Sequence, residues 1–110
     1  MLDAYKAKQA AKLIWDCWQN GKTIENLPSE LKPKTRQEGY AIQAYYEEFS
    51  EYSIFGWKIA ATSAAGQQHI GVTSPLAGRL LKERVFQKDS SLNFGTNRMA
   101  VAEAEFAFKM

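Results

Sequence analysis

Two glutamates one residue apart near the end of the chain, Glu103 and Glu105, are the side chains best suited to metal chemistry. If residues 101–110 form a β-strand, side chains two positions apart point to the same face. The two carboxylates then share one face, while Phe106 and Phe108 are buried on the other. The spacing leaves two interpretations open, an amphipathic surface strand or part of a site for a divalent metal.

A single lysine inside an apolar run is the second candidate for chemistry. Residues 54–62 combine aromatic and β-branched residues with an interior Gly56 and show no helical period, so we expect a strand there. The ammonium of Lys58 then projects from the face opposite Trp57 and Ile59. It is either a surface lysine whose stem lies along apolar residues, or a functional lysine with an anion beside it.

A helical amino-terminal region, residues 1–52, is predicted to precede these candidates. Residues 3–20 are good helix formers with apolar side chains at helical spacing, and Gly21 is well placed to end the helix. Prolines interrupt the following residues up to position 35. We therefore expect one amphipathic helix and then a loop or short turn.

A second helix is predicted to start at a capping box. Thr35 and Glu38 stand three residues apart, so the hydroxyl and the carboxylate can each accept from a free backbone amide. The apolar side chains that follow at intervals of three and four predict one continuous helical face, made of Ile42, Tyr45, Phe49 and Tyr52. The result is a pair of helices packed through aromatic residues.

Residues 53–110 are predicted to be the start of a β-rich catalytic core. Besides the strand at 54–62, the pattern predicts one or two helical turns at 63–69 closed at Gly71, and a short strand from Arg79. An exposed loop at 90–97 then leads to the final strand. Helices followed by strands predict an α+β fold.

The composition restricts the possible partners. A chain of 110 residues with a formal net charge of +2 has no strong field to gather nucleic acid or anionic lipid, so neither is expected as a partner. The basic residues Arg79, Lys82, Arg84 and Lys88 lack a glycine-rich loop and are expected to be solvated. The short apolar run near the amino terminus falls far short of a signal peptide or a spanning helix.

The single cysteine and the single histidine carry little chemistry. Cys17 has no partner for an internal disulfide, which favours a reducing, cytoplasmic setting. His69 cannot build a zinc site alone, so we expect it to be a structural or surface residue.

Several phrases taken together resemble one family. Residues 56–59 read GWKI, residues 62–65 read TSAA, and residues 101–108 read VAEAEFAF, with Ile70-Gly71-Val72, Pro75, Gly78 and Leu80 between them in the same order. The chain resembles the 2-keto-4-pentenoate hydratase branch of the fumarylacetoacetate hydrolase superfamily. The likeness extends over nearly the whole chain.

The resemblance implies a metal-dependent enzyme of aromatic catabolism that acts on 2-oxo acids. Members hydrate 2-hydroxy-dienoates, decarboxylate, or hydrolyse carbon–carbon bonds. It implies that Glu103 and Glu105 hold Mg²⁺ or Mn²⁺, that Lys58 is catalytic, and that Lys58 and Phe106 bind substrate. Hard divalent cations prefer carboxylate oxygens, which agrees with this role. The fold it implies has amino-terminal helices followed by the first strands of a mixed β-barrel-like core.

Two departures from the family pattern matter. Relatives often have an acidic residue directly after the Gly-Val pair, where Thr73 and Ser74 stand here. Relatives are also more than twice as long, and their third metal-binding carboxylate lies on a strand beyond the position of Met110. We therefore expect a fragment of a longer enzyme, or a homo-oligomer whose terminal strand pairs with another copy. The alternative is a non-catalytic homologue that serves as an oligomerisation or interaction module.

Overall fold

Four α-helices and a two-stranded antiparallel sheet form the regular structure, so the predicted α+β class is confirmed. The computed structural model describes all 110 residues. In chain order the elements are α1 (Ala4–Gln19), α2 (Arg36–Ala44), α3 (Tyr46–Phe49), β1 (Ile54–Ala60), α4 (Ala64–Ile70) and β2 (Leu76–Leu81), with short 3-10 turns at Ser29–Leu31 and Lys82–Arg84. None of the helices combines the length and the apolar character needed to cross a membrane.

The first two helices each begin after a capping residue, and the capping box of the second confirms the prediction. Asp3 precedes α1, and its carboxylate accepts from the Lys6 amide at 2.8 Å. Thr35 precedes α2 and forms both halves of the capping box with Glu38. Gly21 follows the end of α1 with a φ of 61°, a conformation that glycine adopts without steric cost.

The second helix is shorter than predicted. A continuous helix through Tyr52 is wrong, because α2 ends at Ala44 and α3 starts at Tyr46. At the junction the Tyr45 amide donates to the Ile42 carbonyl at 3.2 Å, a tight three-residue turn that bends the chain. Tyr45 and Tyr46, at this junction, both pack against the core beside α1.

The core lies between α1 and α2. Its four buried members are Ala7, Ala10 and Ala11 of α1 and Ile42 of α2. The small alanine side chains let the two helix backbones approach closely. Larger half-buried side chains close the periphery, namely Leu2, Ile14, Leu27, Leu31, Tyr45, Tyr46 and Phe49.

The sheet is the part of the fold that carries Lys58. β1 and β2 pair antiparallel, with Lys58 opposite Gly78 and Trp57 opposite Arg79. β1 is two residues shorter than the predicted 54–62, because Ala61 takes a φ of 56° that ends the extended conformation. β2 begins at Leu76, three residues before the predicted start at Arg79.

The two outer edges of the sheet differ. Along β2, the Tyr40 hydroxyl accepts from the Ala77 amide at 3.1 Å, and Gln43 both donates to the Ala77 carbonyl at 3.3 Å and accepts from the Arg79 amide at 2.9 Å. Side chains of α2 thus satisfy the edge of β2. Beyond its ladder with β2, the backbone of β1 makes no hydrogen bond.

The predicted strand at 101–110 is wrong, because no helix or strand occurs after residue 84. Phe106 and Phe108, expected on a buried face, are 98% and 92% exposed. Alternating side chains suit a strand, but a strand also needs a neighbour to pair with its backbone groups. The backbone of residues 101–110 makes no hydrogen bond to either strand. The strands of residues 53–110 are therefore β1 and β2 alone.

Candidate functional site

The structure brings the three predicted charged residues of the site together. The ammonium nitrogen Nζ of Lys58 donates to Oε1 of Glu105 at 2.7 Å and lies 3.7 Å from Oε2 of Glu103. Lys58 and Glu105 are 47 positions apart in the chain. A functional lysine was expected to have an anion beside it, and Lys58 has two, the carboxylates of Glu103 and Glu105.

The position of Lys58 in β1 explains its orientation. It lies near the middle of the strand, opposite a glycine that has no side chain to block the ammonium. Its neighbours Trp57 and Ile59 project from the other face. This second face carries an aromatic ring and is open, since Trp57 is 51% and Ile59 49% exposed.

The carboxylates reach Lys58 from the irregular carboxy-terminal segment. Before reaching it, the chain passes the end of α1, where Thr96 packs against Gly21. A Cβ at Gly21 would stand 2.5 Å from the Thr96 methyl, so only glycine fits there. A turn follows, in which Asn97 accepts from the amides of Met99 and Ala100 at 3.1 and 3.2 Å.

The electrostatics of the cluster keep Lys58 protonated. The hydrogen bond that Lys58 donates to Glu105 is the main cause that raises the pKa of Lys58, opposed by partial desolvation and assisted by the charges of Glu105 and Glu103. One ammonium between two carboxylates leaves a net charge of −1. An ammonium with a raised pKa is suited to binding an anion and poorly suited to accepting a proton at neutral pH.

The cluster offers two carboxylates to a metal. No group of three or more His, Cys, Asp or Glu side chains is close enough to hold an ion. Carboxylates are the kind of ligand that Mg²⁺ or Mn²⁺ takes, but these two already pair with Lys58 and do not by themselves complete a site. The donor set is hard oxygen throughout, with no sulfur or imidazole nitrogen, and so does not favour zinc.

The remaining site residue, Phe106, lies on the surface. Its side chain is almost fully exposed and forms no wall of a pocket around Lys58. Two clefts, of about 280 and 200 Å³, lie against the helices and are lined by other residues, including Phe49 in one and Glu38 in the other. The charged cluster is therefore on open surface.

One residue expected to be solvated has a structural role instead. The Arg79 side chain is only 17% exposed, and its Nε donates to Glu47 at 2.6 Å. The guanidinium also lies 4.8 Å from the centre of the Trp57 ring. Arg79 lies opposite Trp57 across the two strands. The sequence alone does not show this register, so it does not predict the contact.

Comparison of the chain with models of known protein families, with curated proteins and with solved structures finds no match.

Proposed function

We propose that this chain contributes part of the active site of a divalent-metal-dependent enzyme that acts on small 2-oxo acids. The reaction class is hydration of a 2-hydroxy-dienoate, decarboxylation, or hydrolysis of a carbon–carbon bond. One observation carries the proposal: Lys58 meets Glu103 and Glu105 although they are distant in sequence. Two carboxylates and an ammonium on one surface match the two needs of such a substrate, a metal for its oxo group and a cation for its carboxylate.

Glu103 and Glu105 are the residues that would hold Mg²⁺ or Mn²⁺. When bound there, such an ion would supply Lewis acidity toward the 2-oxo group of the substrate. The two carboxylates are 61% and 54% exposed, so an incoming ion meets water on most sides. Exposed ion pairs of this kind are weak, and the lysine can give up its contact to an ion at little cost.

Lys58 then serves the substrate. Released from Glu105, its ammonium lies beside the metal-binding carboxylates and can pair with the carboxylate of a 2-oxo acid. Its raised pKa keeps it charged, which favours an electrostatic role over that of a base. Phe106 completes the proposed set as an apolar contact for the substrate chain.

The proposal also covers the fold, the compartment and the assembly of the whole enzyme. It places the two strands and the helices at the beginning of a mixed β-barrel-like core, in a cytoplasmic homo-oligomer. Further carboxylate ligands would come from outside the described cluster.

Metal binding tests the proposal directly. Mn²⁺ added to the chain should be bound, seen as loss of the free-ion signal in electron paramagnetic resonance, and Mg²⁺ should compete for it. Glu105→Ala should abolish binding, because it removes a metal ligand. The matched control is Glu25→Ala, which removes an exposed glutamate that has no ion pair. Equal Mn²⁺ binding by the wild type and Glu105→Ala would contradict the proposal.

A second candidate function is supported by the exposed apolar residues. A non-catalytic oligomerisation or interaction module would use the aromatic face of β1 and the exposed phenylalanines near the end of the chain. The non-catalytic function is supported if calorimetry detects no binding of Mn²⁺ or Mg²⁺ while the chain forms stable oligomers.

A further inference from the structure

The free edge of β1 has unpaired backbone groups with which another strand could form hydrogen bonds. The edge of β2 is occupied by Tyr40 and Gln43, whereas the outward backbone groups of β1 have no partner. An unpaired edge next to exposed aromatic side chains is a template for strand addition. The remaining question is which strand fits it.

Residues 101–108 match both faces of β1 at once. On the face of Lys58, the structure already pairs the ammonium with Glu105 and Glu103. In an extended segment the phenylalanines at 106 and 108 project opposite to the glutamates. They would then lie on the same side as the aromatic face of β1. A shift by one residue would place the glutamates on the aromatic face and the phenylalanines beside Lys58, so the register is specified.

The direction of pairing is specified as well. With Glu105 opposite Lys58, an antiparallel strand places Phe106 opposite Trp57. Phe108 then lies beside the start of β1, where the register shifts between Ile54 and Gly56. A parallel strand in the same register would place Phe108 beyond the end of β1, which stops at Ala60. Aromatic pairs across an antiparallel ladder are favourable, so the antiparallel arrangement is the better fit.

We propose that residues 101–108 of one copy add to β1 of a second copy as an antiparallel strand. Within a single chain the segment contacts Lys58 through its carboxylates only and leaves both phenylalanines in solvent. Exchange between two copies covers them. It also forms two identical ladders related by a two-fold axis, which closes the assembly as a dimer.

The exchange makes the charged site composite. Lys58 comes from one copy, and Glu103 and Glu105 come from the other, so each dimer contains two such sites. The catalytic meaning of the composite site rests on the proposed function, whereas the strand pairing does not. Dimerisation measured in the presence of a chelator is therefore independent of metal binding.

Charge reversal in two variants tests the exchange. Lys58→Glu places a glutamate opposite Glu105, and Glu105→Lys places a lysine opposite Lys58. Each variant alone therefore has like charges in both ladders, and its dimer dissociation constant should rise about tenfold or more. In an equimolar mixture of the two variants, both ladders of the mixed dimer regain opposite charges. Sedimentation equilibrium with a chelator should show that the mixture dimerises at concentrations where each variant alone is mainly monomeric.

The mixture distinguishes a second copy from pairing within one chain. If each segment pairs with its own β1, mixing two self-repelling chains changes nothing, and a mixture that remains monomeric overturns the proposal. A wild type that stays monomeric across the measured concentrations overturns it as well. Glu25→Lys is the matched control and should dimerise as the wild type does. Far-UV circular dichroism checks that both variants keep their helices, whose core lies at Ile42 and the α1 alanines.

Discussion

At the scale of single residues, Lys58 is the centre of the molecule's chemistry. Its nearest acceptor is Glu105 at 2.7 Å, and Glu103 lies a further 1 Å away at 3.7 Å. Alternation along the sequence can predict that the two glutamates share a face, but it cannot bring that face to a lysine 47 positions away. Only the family resemblance joined the three residues before the structure was known.

A titration of Lys58 tests this cluster. Because the Glu105 hydrogen bond is the main cause of its raised pKa, Glu105→Gln should lower the titration midpoint of Lys58. Glu103→Gln should lower it less, since that carboxylate is farther away. The measurement is the ¹⁵Nζ shift of Lys58 by NMR over alkaline pH, with Glu25→Gln as control. A larger effect from Glu103→Gln would show that the order of the two contacts is wrong.

At the scale of elements, local signals predicted more than long-range ones did. The capping box of α2 and the glycine after α4 are encoded within four or five residues, and both appear in the structure. Strand pairing is not encoded locally. The segment with Glu103 and Glu105 has the alternation of a strand, but its backbone is paired with neither strand and is irregular. The break at Tyr45 was also unpredicted, because no proline or glycine in residues 42–49 marks it.

The capping box predicts how stability depends on pH. Backbone hydrogen bonds from Lys34, Leu2 and Thr35, in that order, lower the pKa of Glu38 below its ordinary value, and partial desolvation opposes them. A lowered pKa in the folded state means that the stabilisation is complete above the ordinary glutamate pKa of about 4.3. It is lost as the pH falls through the lower value in the folded protein.

Glu38→Gln should therefore reduce stability at pH 7 and flatten its decline toward pH 3. Urea unfolding followed by circular dichroism at several pH values measures both effects. Glu25→Gln provides the comparison, because that side chain accepts no hydrogen bond from the backbone. An unchanged acid slope in Glu38→Gln would show that the carboxylate does not link helix α2 to the amino terminus.

At the scale of the whole molecule, apolar burial is concentrated in one place. Five of 110 residues are buried, and four of them form the contact between α1 and α2. The polar contacts that join the sheet to the helices are those of Arg79 with Glu47 and of Tyr40 and Gln43 with the edge of β2. Cooperative stability should therefore depend on the helical core.

Truncation of Ile42 tests that dependence. Ile42→Ala should lower the free energy of unfolding by about 2–4 kcal/mol, because it removes the one large side chain enclosed by the α1 alanines. Ile24→Ala, at a residue that is 42% exposed, should change it by about 0.5 kcal/mol or less. Chemical denaturation measures both values. Similar losses in the two variants would place the stabilising core elsewhere.

The unequal edges of the sheet also bear on how far copies of this chain can aggregate. A sheet with two free edges can add strands at both of them without limit, as in cross-β fibres. Here the Tyr40 and Gln43 side chains occupy backbone groups at the edge of β2, so another strand can add to the sheet only at β1. Two side chains of α2 thereby prevent this short sheet from adding strands at both of its edges.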